Sequence, residues 1–226
     1  MSYTSEIVID FLEKNIHRHT FLEHEIKGLF KKMGFSVPRS IFIPKEGEFP
    51  PIDLKYPLVA KVSSTLITSK SDVKGLRIGI KDEAELVSAF RDLINLEFAE
   101  GVLIEELAPP GIEVIVGGIV DEQFGPIVMF GLGGFFVELY KDVSFGLAPL
   151  NKDDAIWLIK QVKCYKILEG FRQNEPLDID SLIKIVIAVS ETISTNRIKE
   201  IDLNPIRLYP KGLMIIDAKM QAISNR

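Results

Sequence analysis

The stretch FGLGGFFVELYKDVSFGLAP, residues 130–149, is the most informative part of this chain. Its glycines Gly131, Gly133 and Gly134 have no Cβ atom, so the backbone there can adopt positive φ and approach a ligand or a partner surface closely. The acidic residue Glu138 follows within the same apolar stretch, which is uncommon for an ordinary strand and turn. The pattern predicts a phosphate-binding loop, and the alternative is a glycine-rich turn that binds nothing.

Composition and charge narrow the class of protein. The 226 residues are 46% hydrophobic and 26% charged, which is typical of a folded globular chain. The net charge is −5 and the basic residues are scattered, so we expect no nucleic-acid partner. We expect no membrane partner, because no apolar run reaches the roughly 18 residues needed to cross a bilayer. The acidic N-terminal segment is unlike a signal peptide and the single Cys164 fits a reducing compartment, so we expect a cytoplasmic protein.

Hydrophobic periodicity predicts an α+β fold with two lobes. Helical spacing of apolar residues predicts helices at 5–16, 22–33, 83–94, 153–162 and 179–193. Short apolar runs bounded by Pro, Gly and Asp predict strands at 40–44, 57–62, 76–80, 101–107, 112–120, 126–130, 135–140, 199–208 and 213–218. We therefore predict one domain spanning 1–226, composed of an N-terminal helical segment at 1–37, a smaller lobe at 38–107 and a larger lobe at 108–226.

The last two predicted strands form a hairpin that collects oxygen-bearing side chains. If residues 209–212 are a four-residue loop, counting outward along both strands places Asn204 directly opposite Asp217. Asp202 lies two residues before Asn204 and therefore on the same face. Carboxylate and amide oxygens are ligands that Mg²⁺ accepts, so the hairpin predicts a metal site, with a solvated hairpin face as the alternative.

Lys61 lies within the apolar run PLVAKV, residues 57–62, where a charged side chain needs an anion or a position at the rim. A nucleotide phosphate would satisfy it, and the alternative is a side chain that extends to solvent. Lys61→Met is expected to keep the fold, because the length of methionine suits a strand. Glu105 ends another apolar run and Glu113 follows a loop with two prolines. This pattern is typical of a hinge strand that contacts adenine and ribose, and equally of an ordinary charged turn.

Five segments together resemble the ATP-grasp β subunit of archaeal ADP-forming acetyl-CoA synthetases, which are related to succinyl-CoA synthetase. The segments are EHEIKGLFKKMGFSVP, PLVAKVSS, SKSDVKGLRIGI, the whole of 113–150, and EIDLNPIRLYPKGLMIIDAKM. The match runs in order from about residue 21 to the C-terminus, and 113–150 is its most specific part. The resemblance implies an ATP-grasp fold that holds its nucleotide between two α+β lobes.

The resemblance also implies a reaction and a set of site residues. The implied cofactors are ATP or ADP and Mg²⁺, and the implied partner is a CoA-binding α subunit that delivers a phosphoryl group on a histidine. The implied reaction is acyl-CoA + ADP + phosphate ⇌ acid + CoA + ATP, in an α2β2-type hetero-oligomer. Contacts with the phosphates or with the phosphohistidine would be made by Lys61, Ser69, Lys70, Gly75, Gly133, Gly134 and Glu138. Hinge and ribose contacts would be made by Glu105, Leu107, Ala108 and Glu113, and Mg²⁺ would be bound by Asn204 and Asp217 with Asp202 beside them.

Two positions depart from the pattern of that family. Ser69 stands where the family pattern has a histidine that is thought to carry a phosphoryl group, and Lys74 stands where it has a second glycine. A serine cannot form the labile phosphoramidate that such a carrier needs. We therefore expect an active nucleotide-binding subunit with a single carrier on its partner. The alternatives are a non-catalytic regulatory or assembly subunit and a stand-alone ATP-grasp ligase that joins a carboxylate to an amine.

Overall fold

The computed structural model describes residues 2–67, 69–134, 141–170 and 175–223. The chain divides into two compact units. The smaller unit contains Leu22–Glu25 and Pro38–Pro109, and the larger contains Met1–Phe21, Ile26–Val37 and Pro110–Arg226. The first turn of the second helix thus belongs with the smaller unit, although the sequence groups it with an N-terminal helical segment. The predicted domain boundaries stay a prediction.

The secondary structure alternates between helices and antiparallel strands. The α-helices within the described residues are α1 (Tyr3–Lys14), α2 (Glu23–Lys32), α3 (Glu83–Ile94), α4 (Lys152–Lys160) and α5 (Ile179–Ile193). The strands are β1 (Ser40–Pro44), β2 (Leu58–Ser63), β3 (Leu76–Ile80), β4 (Gly101–Glu106), β5 (Ile112–Asp121), β6 (Gly125–Leu132), β7 (Val143–Leu147), β8 (Ile198–Leu208), β9 (Leu213–Ile215) and β10 (Ala218–Ala222). A 3₁₀ turn spans Tyr165–Ile167.

The smaller unit is a sheet with strand order β1-β4-β2-β3. Side chains alternate across β2, so Leu58, Ala60 and Val62 enter the hydrophobic core that α3 also lines. The intervening residues Lys61 and Ser63 point to the opposite face, yet both are buried. This second face of the sheet is therefore covered, and its buried polar groups require partners.

The larger unit is a sheet with strand order β10-β8-β5-β6-β7, and β9 also pairs with β8. Its core is formed by the apolar side chains of α1, α2, α4 and α5 against one face of the strands. The β8 residues Ile201, Leu203 and Ile206 are fully buried in this core. Asp202 and Asn204 alternate with them and are less buried, so they lie on the face that points away from the core.

Most predicted elements are confirmed, with shifts of one or two residues at their ends. Two differences concern the strands of the larger unit. The segment 143–147 forms the edge strand β7, which the sequence analysis missed because its residues mix Ser and Gly with apolar ones. The predicted strand 213–218 is two strands, β9 and β10, interrupted at 216–217. Pro205 lies opposite this interruption and has no N–H to donate, so the ladder breaks there. The predicted strand 135–140 lies outside the described residues.

Within the ranges that the structure describes, no helix combines the length and the apolar character needed to cross a membrane.

Candidate functional site

Lys61 is the centre of a buried charge cluster in the smaller unit. Its Nζ donates to Glu23 Oε1 at 2.6 Å and lies 2.8 Å from Glu105 Oε2. The other oxygen of Glu23 lies 2.9 Å from the Nζ of Lys70. The Lys61 side chain is only 5% exposed, so the interpretation that it extends to solvent is wrong. The cluster holds two ammonium groups and two carboxylates, and burial of these charges is tolerated because each has an opposite charge beside it.

The first turn of α2 is held against this face of the sheet by ring stacking. The imidazole of His24 stacks on the ring of Phe42 with 4.1 Å between the ring centroids and 15° between their planes. The Phe42 ring in turn lies where a side chain at Gly101 would be. The absence of a Cβ at Gly101 therefore leaves room for the Phe42 ring on which His24, the neighbour of Glu23, stacks.

The segment 69–75, predicted as the loop over the phosphates, is a compact turn in the structure. The Oγ of Ser69 accepts a hydrogen bond from the backbone N–H of Asp72 at 3.4 Å. The N–H of Gly75 donates to the carbonyl of Lys70 at 2.6 Å, and a Cβ at Gly75 would overlap the side chain of Val62. Glycine at position 75 is thus required by packing. Lys74 adopts a φ of 52°, a left-handed conformation that glycine tolerates better.

The predicted hinge residues follow β4 and have different environments. The carboxylate of Glu105 is paired with Lys61, and its assignment to the hinge stays a prediction. Ala108 is buried, and the N–H of Leu107 donates to the carbonyl of Pro57 at 3.0 Å. Next to this segment, Glu106 accepts a hydrogen bond from the guanidinium of Arg39 at 3.1 Å. These contacts fix the segment that the sequence assigns to adenine recognition.

In the larger unit the glycine-rich loop lies against Glu113. The N–H of Gly133 donates to the carbonyl of Glu113 at 2.7 Å, and a Cβ at Gly133 would lie 3.0 Å from that same backbone. The carboxylate of Glu113 is paired with the guanidinium of Arg207 at 3.3 Å and is close to Gly134. The structure thus brings together Glu113, Gly133 and Gly134, and adds Arg207, which the sequence analysis missed. The Glu138 prediction lies outside the described residues.

The hairpin register confirms the pairing counted from the sequence. Leu208 pairs with Leu213, and the N–H of Asn204 donates to the carbonyl of Asp217 at 3.2 Å. Asp202 pairs with Lys219 in the next strand. Burial raises the pKa of the Asp202 carboxyl, and the carboxylates of Asp217 and Glu200 raise it further against the opposing charge of Lys219. Asp202, Asn204 and Asp217 are therefore neighbours on β8 and the segment opposite it.

The donor set of these three residues fits Mg²⁺. No group of three or more His, Cys, Asp or Glu residues in the described part of the chain is arranged to hold a metal ion. Two carboxylates and one amide are nevertheless the partial oxygen set that Mg²⁺ takes when nucleotide phosphates and water supply its other ligands. The residue types thus fit a metal bound together with a nucleotide, and a metal cage built only from protein groups does not fit.

A further acidic residue of the glycine-rich region is structural. The carboxylate of Asp142 accepts hydrogen bonds from the backbone N–H groups of Lys163 and Cys164 at 2.7 and 2.9 Å. Burial raises the pKa of the Cys164 thiol, and its hydrogen bond to Asp142 adds to the effect. This thiol therefore has little thiolate character, which is typical of a chemically inert cysteine.

Comparison with known proteins decides the family. The ATP-grasp domain family matches residues 12–222. The chain belongs to the ATP-grasp family. The acetate–CoA ligase (ADP-forming) I subunit β of Pyrococcus furiosus is 42% identical over 209 residues, which cover 88% of this chain and 90% of that protein. The acetate–CoA ligase (ADP-forming) II of Archaeoglobus fulgidus is 40% identical over 201 residues, but this chain spans only 30% of its length.

A solved ATP-grasp structure extends the comparison to three dimensions. It is the dinucleotide-forming acetyl-coenzyme A synthetase 1 of Ca. Korarchaeum cryptofilum, in complex with coenzyme A and Mg-AMPPCP. Its phosphohistidine segment points towards its nucleotide-binding site. The TM-score is 0.75 at 39% identity, and the match covers 97% of this chain and 100% of that one. The predicted ATP-grasp α+β fold and the resemblance to β subunits of ADP-forming acid–CoA ligases are confirmed.

Glu23 is the residue of the buried charge cluster around Lys61 that the sequence does not reveal. It is an acidic residue in the first turn of a helix, where the helix dipole alone explains a negative charge. Its contact with Lys61 spans 38 positions of the chain, so no local pattern could have indicated it.

Proposed function

We propose that this chain is the nucleotide-binding β subunit of an ADP-forming acid–CoA ligase. It exchanges a phosphoryl group between ADP or ATP and a phosphohistidine on a CoA-binding partner subunit, within the reaction acyl-CoA + ADP + phosphate ⇌ acid + CoA + ATP. The observation that supports this proposal most is the hairpin register, which pairs Asn204 with Asp217 and keeps Asp202 beside them. A partner subunit is consistent with relatives that are themselves β subunits.

The residues of the chain act mainly by charge and position. Lys61 and Lys70 supply the ammonium groups that bind phosphate oxygens, and the turn at 69–75 carries Lys70 to them. Asp202, Asn204 and Asp217 hold Mg²⁺, which neutralises developing charge on the phosphates when it is bound. Glu113, oriented by Arg207, lies beside Gly133 and Gly134, the glycines assigned to the contact with the phosphohistidine. Phosphoryl transfer needs little covalent chemistry from the protein, so such a set is sufficient.

A regulatory role is the second candidate, and the turn at 69–75 is what favours it. The Ser69 hydroxyl accepts a hydrogen bond that stabilises its own turn, and it offers no nitrogen that could carry a phosphoryl group. Lys74 holds a left-handed conformation in the same turn. A subunit that binds nucleotide without turnover would tolerate both changes.

One assay separates the candidates. The chain is purified with its CoA-binding partner subunit and incubated with acetyl-CoA, phosphate and Mg-ADP, and ATP formation is measured with and without the partner. ATP formation that requires the partner is the expected result. Binding of Mg-ADP without any turnover, even with the partner, would establish the regulatory role. Turnover of ATP by the isolated chain with a carboxylate and an amine would contradict the proposal in favour of a stand-alone ligase.

A further inference from the structure

Glu23 joins the two lysines that the proposed function assigns to phosphate. One of its carboxylate oxygens lies 2.6 Å from the Nζ of Lys61, and the other lies 2.9 Å from the Nζ of Lys70. The side chains of Glu23, Lys61 and Lys70 are 4%, 5% and 14% exposed. Glu23 thus spans two ammonium groups that come from a central strand and from the turn at 69–75.

The geometry of this contact is that of a bound oxyanion. Two ammonium groups on the two oxygens of one carboxylate are arranged as they would be on two oxygens of a phosphate group. The contact with Lys61 is a charge-assisted hydrogen bond, one of the strongest kinds of polar contact in proteins, and the contact with Lys70 is an ion pair. A phosphate that binds Lys61 and Lys70 through adjacent oxygens therefore needs the positions that the Glu23 oxygens take.

Glu105, the other carboxylate on Lys61, is not placed to exchange with a phosphate. It contacts Lys61 but belongs to β4, where backbone pairing with both Ser40 and Val59 fixes its place in the sheet. Glu23 instead lies at the first residue of α2, and its side chain is the link between the strand and the turn. When an anion arrives, Glu105 remains on Lys61, whereas the Glu23 contacts must be exchanged to avoid three negative groups on two lysines.

We infer that Glu23 is an internal competitor of the nucleotide phosphates for Lys61 and Lys70. The inference deepens the proposed function and rests on its assignment of these lysines to phosphate. Binding of nucleotide exchanges the Glu23 carboxylate for phosphate oxygens on at least one lysine, and release of nucleotide restores the internal contacts. The affinity for nucleotide is lowered by the strength of those contacts, which favours release of the product ATP or ADP.

The test replaces the competing charge and keeps its shape. Glu23→Gln retains an acceptor oxygen but loses the negative charge, so both lysines become more available to an external anion. We expect ADP and inorganic pyrophosphate to bind this variant roughly three- to tenfold more tightly than the wild type, the size of one net hydrogen bond. Both affinities are measured by titration calorimetry, and circular dichroism confirms that the variant is folded.

A second measurement does not depend on any ligand. Loss of the Glu23 charge weakens the hold on Lys70, so trypsin should cleave after Lys70 and Lys74 faster in Glu23→Gln than in the wild type. Glu25→Gln is the matched control, because Glu25 lies in the same helical turn and its Oε2 accepts a hydrogen bond from the N–H of Leu22. Its ADP affinity and cleavage rate should equal those of the wild type. Glu23→Asp serves if the glutamine variant does not fold, since its shorter side chain cannot span both lysines, and it too should bind pyrophosphate more tightly.

The outcomes distinguish this inference from the proposed function. Tighter pyrophosphate binding by the variant, in a protein that binds no ADP, would support competition by Glu23 and contradict the nucleotide site. Weaker binding of both probes together with faster cleavage would overturn competition and make Glu23 a positioning residue. Unchanged affinities and cleavage would overturn the inference, as would a failure of either protein to bind pyrophosphate.

Discussion

Two charged regions of the molecule differ in how their charges are arranged. One is the lysine cluster of the smaller unit, which consists of Glu23, Lys61, Lys70 and Glu105. The other is the acidic face of the larger unit, which consists of Asp202, Asn204 and Asp217. Around Lys61 the charges are buried and paired within the protein, so they contribute to the fold itself. Asp202 on β8 and Asp217 on the segment opposite lie near each other on a partly exposed face, and burial together with the Asp217 charge raises the pKa of the Asp202 carboxyl. Substitutions in the cluster should therefore change stability as well as phosphate binding, whereas those on the acidic face should act mainly on metal-dependent binding.

The largest effect is expected for Lys61→Met. The methionine fits a strand, but it leaves the buried carboxylates of Glu23 and Glu105 without their shared ammonium group. Removal of one partner from a buried ion pair costs about 3–5 kcal/mol, so the free energy of unfolding should fall by that amount. The sequence alone predicts that this variant keeps the fold. The ion pairs of Lys61 with Glu23 and Glu105 indicate instead that the substitution lowers the stability of the protein. Urea denaturation followed by circular dichroism measures the change.

Lys55→Met is the control for this substitution. Lys55 is exposed, so its replacement should change the free energy of unfolding by no more than about 0.5 kcal/mol. Equal stability of Lys61→Met and Lys55→Met would show that the cluster contributes nothing to folding, and the contrast between the two regions would fail.

The two regions also differ in how much the sequence reveals of them. The acidic face depends on a hairpin, and the register of a hairpin is set by its turn and by alternation along the strands. Counting outward from residues 209–212 was therefore enough to pair Asn204 with Asp217. The break between β9 and β10 was missed, although Pro205 signals it by its lack of an N–H.

The lysine cluster could be predicted only in part. Burial of Lys61 in an apolar strand indicated that it needs an anion, but the identity of that anion depends on chain segments far apart in sequence. Glu23 lies 38 positions away in the first turn of α2, and its neighbour His24 stacks on a Phe42 ring that occupies the space left by the missing side chain at Gly101. Such contacts arise from tertiary packing, which periodicity and local propensity do not encode.

The next largest effect is expected on the acidic face, for Asp217→Asn. The amide keeps the volume of the side chain but removes a negative charge from the set proposed for Mg²⁺. We expect the affinity for Mg-ADP to fall roughly 10- to 100-fold, or about 1.4–2.7 kcal/mol, with metal-free ADP binding unchanged. Titration calorimetry with and without Mg²⁺ measures both. Glu200→Gln is the control, because Glu200 is an exposed neighbour of the set, and it should leave both affinities unchanged. If both variants lose the same affinity for Mg-ADP, the loss is an effect of surface charge and Asp217 is not a metal ligand.

A smaller effect is expected at Asp178, which contacts the turn of the hairpin that carries the acidic face. Asp178 caps α5 through the N–H of Ser181, and its other oxygen accepts from the N–H of Gly212 at 2.7 Å in the hairpin turn. The hydrogen bond from Ser181 is the main cause that lowers the pKa of Asp178. Asp178→Asn keeps the cap but loses the acceptor for Gly212, so the free energy of unfolding should fall by about 1–2 kcal/mol at pH 7.

The pH dependence of this loss has a definite sign. Because the folded pKa is lowered, the carboxylate stabilises the protein fully above its unfolded value of about 4, and the contribution is lost as pH falls through the folded pKa. The difference between wild type and Asp178→Asn should therefore be constant from pH 7 to about 5 and shrink below 4. A difference that grows on acidification would show that the ionised carboxylate is not the stabilising form.

The smallest effect is expected for Lys74→Gly, in the turn that carries Lys70 to the buried cluster. Lys74 has a φ of 52°, and a residue with a Cβ pays about 1–2 kcal/mol in that conformation. Glycine relieves this cost but adds conformational entropy to the unfolded chain, which costs roughly 0.5–1 kcal/mol. The strain is the larger quantity, so the variant should be more stable by about 0.5 kcal/mol in urea denaturation.

Ser71→Gly is the control in the same turn, because Ser71 is not among the described residues with positive φ and should lose stability on the same substitution. If both variants lose the same stability, Lys74 is not strained. The turn at 69–75 then places Lys70 beside Glu23 without any conformational cost at position 74.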